Sequence, residues 1–276
     1  MKKVLFLTLI NRISALTKLF PAGKAQGITP VLLIIMVLFA GCGKKGALIP
    51  PEALIPAPIT NLKVEQQGER FVVSWSGPTR QEGGGTLRTL AGYRLFRREV
   101  LPPGEDCEDC PTAYRLATSV DLEYPKGVAL FGEYYFFFDA DLAVGKSYRY
   151  KVISAKKDGT QSRASNLAGR KKLAAPQPPV VQALVSPGKI GLHWQVVAMA
   201  GNGRVEGYNV YRKRNGENFP PAPLNGTPVR EASFEDSRLE PGVRYLYAVR
   251  TVAVIEGETV ESELSNEAEG TLSEPD

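Results

Sequence analysis

Side chains whose ordinary pKa lies nearest neutrality, or that act as thiol nucleophiles, are few in these 276 residues: one histidine, His193, and three cysteines, Cys42, Cys107 and Cys110. His193 stands between Leu192 and Trp194, and in an alternating strand two apolar neighbours turn inward and send it outward. A catalytic imidazole needs a nucleophile or an orienting carboxylate within reach, so an exposed strand residue is the expectation. The chain carries no nucleophile elbow, phosphate-binding loop or metalloprotease motif. It reads as a non-enzyme, without cofactor or metal.

Cys107 and Cys110 lie in Gly104-Glu-Asp-Cys-Glu-Asp-Cys-Pro111. In an oxidising compartment two thiols three positions apart most simply form a local disulfide. Redox chemistry would need a depressed thiol pKa, which Glu105, Asp106, Glu108 and Asp109 oppose. A metal site would need two further ligands, and the carboxylates nearby are hard oxygens ill matched to thiolate. A second candidate is the run Tyr134-Tyr-Phe-Phe-Phe138. As a strand it puts Tyr134, Phe136 and Phe138 on one face and Tyr135 and Phe137 on the other, so one set is core. The opposite set is an exposed binding strip unless residues 113–132 fold over it.

Positioning these groups falls to a repeated unit. Arg70-Phe-Val-Val-Ser-Trp75 echoes Lys189-Ile-Gly-Leu-His-Trp194, and Ala91-Gly-Tyr93-Arg-Leu-Phe-Arg-Arg98 echoes Glu206-Gly-Tyr208-Asn-Val-Tyr-Arg-Lys213. Asp139 with Tyr148 and Tyr150 echoes Asp236 with Tyr245 and Tyr247, and Ser165-Asn166 echoes Ser265-Asn266. Apolar residues alternate within each copy, and turns recur about every ten residues, which predicts half-buried strands in a sandwich. A Trp on the second strand, a Tyr on the third, then Leu with a Tyr six residues later (Leu142 to Tyr148, Leu239 to Tyr245) resembles the fibronectin type III domain. The resemblance implies an all-β chain of two tandem sandwiches, each with a tyrosine corner. They cover residues 59–172, with an insertion around 100–132, and 179–272, with a short linker at 173–178. The third and sixth strands are neighbours in that family. Their outward residues in the first copy are then Arg94, Phe96, Arg98, Arg149 and Lys151, a basic face with an aromatic centre. The same positions in the second copy are Asn209, Tyr211, Lys213, Leu246, Ala248 and Arg250.

Residues 1–41 contain five cations and no acid, and Val31 to Ala40 is apolar. That run is too short to span a bilayer, and the order of segments reads as a secretory signal peptide. Its end, Leu38-Phe-Ala-Gly-Cys42, resembles the lipobox of bacterial lipoproteins, in which the thiol takes a diacylglycerol and the chain is cut before it. Two or three acyl chains on Cys42 suffice for stable anchoring. A Pro-rich tether follows at 42–58. Gly43 is not Asp, so the inner-membrane retention signal of enterobacteria is missing and the outer membrane is the expected destination. Cys42 to Pro51 also resembles the start of small lipoproteins linked to assembly of the lipopolysaccharide translocon, with Ala47 where Pro is usual.

The net charge of +5, from 34 basic and 29 acidic residues, would by itself suggest nucleic acid. Without the leader 29 basic residues balance 29 acidic ones: residues 43–172 hold 20 and 15, residues 173–276 hold 9 and 14. Nucleic acid loses its support, and a dipolar protein remains. The reading is a membrane-anchored, non-catalytic binding or scaffolding lipoprotein of the bacterial cell envelope. Its partner is an envelope protein or an anionic polysaccharide. The alternative is an accessory subunit of an envelope secretion, polysaccharide or lipopolysaccharide-assembly machine.

Overall fold

The computed structural model describes residues 50–199 and 203–273; the leader and Cys42 lie outside the described residues. The first copy supplies β1 (Lys63–Gln67), β2 (Arg70–Ser76), β3 (Leu90–Val100), β4 (Arg115–Asp121), β5 (Ala129–Phe131), β6 (Tyr134–Asp139), β7 (Ser147–Lys156) and β8 (Ala168–Lys171). The second supplies β9 (Val181–Ser186), β10 (Lys189–Trp194), β11 (Arg204–Arg214), β12 (Ser233–Asp236), β13 (Arg244–Ile255), β14 (Glu258–Glu261) and β15 (Ala268–Thr271). Among the described residues the helical content is one 3-10 turn, Pro51–Leu54, and no helix is long and apolar enough to cross a membrane.

Each copy is a two-layer sandwich. In the first, β1-β2-β6-β5 packs on β4-β3-β7-β8; in the second, β12-β10-β9 packs on β11 and β13, with β14 and β15 both paired to β13. Alternation puts Phe71, Val73 and Trp75 of β2 against Tyr93, Leu95, Tyr150 and Val152 from the opposite layer. The second core repeats this with Ile190, Leu192, Trp194, Tyr208, Val210, Tyr247 and Val249. Burying each such side chain contributes about 1.5–3 kcal/mol. Trp75 lies edge-on to Tyr93 at 5.8 Å, and Trp194 edge-on to Tyr208 at 5.2 Å.

The other echoes are polar clamps. The Tyr148 hydroxyl accepts the Ala143 N–H at 2.9 Å and the Tyr245 hydroxyl the Glu240 N–H at 3.2 Å, which pins both corners. Asn166 exchanges two hydrogen bonds with the backbone of Leu62, as Asn266 does with Val181, while Ser165 and Ser265 accept from Val152 and Val249. Each Ser-Asn pair thus ties the start of its copy to the end. A third device joins the layers. Buried Asp139 accepts from Arg97 Nη1 at 2.8 Å and from the Tyr150 hydroxyl at 2.8 Å; Asp236 accepts likewise from Arg212 at 2.7 Å and Tyr247 at 3.0 Å.

The two sandwiches share backbone. β1 pairs with β14 in parallel, Gln66 opposite Val260 and Gln67 opposite Glu261, so one layer of each copy fuses into a single eight-stranded sheet. The pairing ends at Gly68, whose N–H donates to the Glu261 carbonyl at 2.9 Å. Gly68 takes φ 59°, in the left-handed region that glycine adopts without strain, and the flexible Glu263 side chain lies against it. Gln66, 1% exposed, donates to Leu173 O at 2.6 Å and Gly68 O at 3.0 Å and accepts from Leu173 N at 3.0 Å. Arg170 meets Glu258 at 2.9 Å and Lys171 meets Glu256 at 2.6 Å. The excess cations of the first copy and the excess anions of the second therefore partly neutralise one another at this junction.

Candidate functional site

Antiparallel pairing of β3 with β7 sets Arg98 opposite Arg149, Phe96 opposite Lys151 and Arg94 opposite Ile153. Pleating sends all of them to the face away from the core, so Arg94, Phe96, Arg98, Arg149 and Lys151 form one strip. β4 extends it, with Leu116, 55% exposed, opposite Phe96.

The strip differs from the open basic face expected from sequence, because the loop between β3 and β4 folds back onto one end of it. Arg98 donates to both oxygens of Asp106, at 2.7 and 2.9 Å, and lies 3.5 Å from Glu108, which also pairs with Arg149. The Tyr114 hydroxyl donates to Glu108 at 2.9 Å, and its ring lies 3.8 Å from the Lys151 ammonium. Arg98 is consequently 4% exposed. Hydrogen bonds from Arg98 and from the Leu101 N–H hold the Asp106 carboxyl down to about 2, whereas burial, reinforced by Glu108, pushes the Tyr114 phenol up to about 12. A disulfide joins Cys107 to Cys110 at the tip of this loop. An open groove of about 860 Å³ separates the loop from the corner at residues 140–143. What stays accessible is the other end of the strip, Arg94, Phe96, Leu116 and Ile153, with Lys151 half-buried at the boundary under the Tyr114 ring.

The aromatic run divides as alternation requires. Tyr135 and Phe137 pack into the core, Tyr135 stacking on Trp75 at 5.9 Å. On the outer face Tyr134 is 45% exposed and Arg70 lies over Phe138 at 4.4 Å. Residues 113–132 do not lie over that face: 129–131 form β5, which extends the sheet beside β6 because its backbone groups pair with that edge.

In the second copy the equivalent positions are covered. Asn209, Tyr211, Leu246, Ala248 and Arg250 are buried, and Lys213 is half-buried, paired with Glu267. The segment 215–229 runs along the edge of β11, through Leu224 N–H to Val210 O at 2.7 Å and Asn225 Oδ1 from Val210 N–H at 2.7 Å. From the first copy, Gln67 reaches Pro221 O at 3.4 Å. Glu261 accepts from Tyr211 at 2.8 Å and Asn209 at 2.6 Å; burial raises its carboxyl pKa and lowers that of Arg250 beside it. This is a junction, in which Tyr211 and Asn209 donate to Glu261 while the buried Arg250 Nε has no hydrogen-bond partner.

His193 is exposed on β10. Among the described residues no group of three or more His, Cys, Asp and Glu is arranged to hold a metal ion. Sequence reasoning missed Asp106, Glu108 and Tyr114 as occupants of the strip; the one available signal was an acidic run a few residues beyond a basic strand.

Residues 180–269 match the family model described as the fibronectin type III domain SaeA third domain. No curated protein matches the chain. Among solved structures, the FN1–FN3 domains of chicken CNTN1 align with 79% of this chain at 17% identity and a TM-score of 0.32, and the chain spans 66% of that structure's length. The fold is all-β, two tandem sandwiches, of which the second is similar in sequence to a fibronectin type III domain and the first repeats its architecture.

Proposed function

We propose that the chain is a membrane-anchored, non-catalytic binding or scaffolding lipoprotein of the bacterial cell envelope, tethered through Cys42 and displaying its two sandwiches as one unit. The observation that carries the scaffolding part of this reading is the fusion of the two copies through β1 and β14; the anchor rests on the sequence around Cys42. It fixes one surface relative to the other, which suits a scaffold. The partner surface is the accessible end of the strip, where Phe96 and Leu116 give apolar area and Arg94 and Lys151 give charge. Two experiments test the parts separately. Radiolabelled palmitate should enter the wild type and not Cys42→Ala; equal labelling refutes the anchor. Crosslinking in intact envelopes should give a defined adduct that is lost in Arg94→Glu/Lys151→Glu while both sandwiches stay folded; an unchanged adduct pattern refutes the assignment of the surface.

A further inference from the structure

Resting on that reading of the strip, we propose that it is a site for an acidic peptide segment and that residues 101–114 are its internal, displaceable occupant. The loop shows what the strip recognises. Asp106 and Glu108, two positions apart, place carboxylates on Arg98 and Arg149, and Tyr114 adds a ring against Lys151. Bidentate arginine–carboxylate pairing of this kind is directional as well as strong.

Three further observations separate a docked ligand from an ordinary buried loop. Among the described residues, the backbone hydrogen bonds of the loop are internal: Glu105 N–H to Pro102 O, Cys110 N–H to Cys107 O and Ala113 N–H to Cys110 O. The loop therefore holds its own shape and meets the strands through side chains. Arg98 Nε, on a side chain almost wholly buried, has no hydrogen-bond partner, so the loop leaves a donor of the site unsatisfied. The strip also runs past the loop to Phe96, Leu116 and Arg94, contacts that a longer peptide gains and the loop lacks. The groove of about 860 Å³ beside the loop, lined in part by Arg98 and Asp106 themselves, leaves open space next to the docked pair.

A site occupied by its own chain binds an outside ligand with an affinity reduced by the fraction of time it is empty. The test measures a short fluorescent peptide carrying Glu at alternate positions, by anisotropy, on the full-length protein in neutral detergent. Asp106→Asn/Glu108→Gln is expected to bind it about tenfold more tightly than wild type, and Tyr114→Ala, which loosens the loop without changing charge, should shift in the same direction. Adding Arg94→Glu/Lys151→Glu should remove binding in both backgrounds. If wild type and both loop variants bind equally while the strip variant does not bind, the displaceable occupant is refuted and the surface stands. If neither wild type nor the loop variants bind the peptide, the acidic-peptide class is refuted, and the envelope adduct decides the surface independently.

Discussion

Replacing Gln66 by Ala tests whether the stabilities of the two sandwiches are coupled through their junction. The substitution removes an amide that makes three hydrogen bonds to Leu173 and Gly68 while 1% exposed. Each neutral hydrogen bond is worth about 1 kcal/mol net, and a buried group left unpaired costs about 1–3 kcal/mol. Leu173 loses the partner of its N–H, and its C=O keeps only a long bond from Lys172 Nζ at 3.5 Å, so the expected loss is about 2–4 kcal/mol. The loss should not stay in the first copy, because Gln66 is also the residue that pairs with Val260. Each copy holds one buried tryptophan, Trp75 and Trp194, so Trp75→Phe leaves a reporter for the second alone. Urea unfolding of Trp75→Phe with and without Gln66→Ala should show the second sandwich losing about 1 kcal/mol, the scale of a ladder bond. A Trp194 transition with unchanged midpoint and slope would refute the coupling. A total loss well below 1 kcal/mol would refute the energetic role given to Gln66.

Asp139→Ala and Asp236→Ala should each cost about 2–4 kcal/mol, because an arginine and a buried tyrosine hydroxyl lose their acceptor; Tyr150→Phe should cost about 1 kcal/mol, both read by urea titration. Arg170→Glu should weaken the junction by about 2 kcal/mol, and Glu258→Arg in the same chain should restore part of it; no recovery in the double-mutant cycle would mean that the ion pair is not coupled. The Asp106 carboxyl is lowered in the folded chain, so its contribution to loop docking is full above its ordinary value of 3.8 and fades as pH falls toward about 2. The loop amide signals should thus hold from pH 7 to 5 and shift only below about 4; a change between 7 and 5 would contradict the Arg98–Asp106 pairing.

The cores were legible because their physics is local. Period-two alternation around Trp75 and Trp194, and the Leu-to-Tyr spacing of each corner, mark inward positions without knowledge of any partner. The Asp139 and Asp236 echo was visible as repetition, but its meaning depends on Arg97 and Arg212 reaching over from the opposite layer, which spacing alone does not give. The junction was hidden for another reason. Lys63-Val-Glu-Gln-Gln67 has the polarity of an exposed edge strand, and Gln66 and Gln67 become buried only when a distant strand docks beside them. One sign was present: β13 is apolar on both faces, Leu246, Ala248 and Val252 alternating with Tyr245, Tyr247 and Val249, a pattern of two-sided burial. The occupied strip was similarly hidden, since sequence places Asp106 and Glu108 near Arg98 in number and not in space.

The parallel pairing of β1 with β14 bears on how this chain can be divided. Tandem sandwiches are commonly treated as interchangeable beads, to be cut at the linker and recombined. Here a cut at residue 179 would leave β14 paired with β13 alone and bare the side of Val260 and Glu261 that faces β1. An uncovered strand edge of that kind is a template for pairing with other chains. The first copy thus serves the second as an edge guard, and the unit to express or graft is the pair.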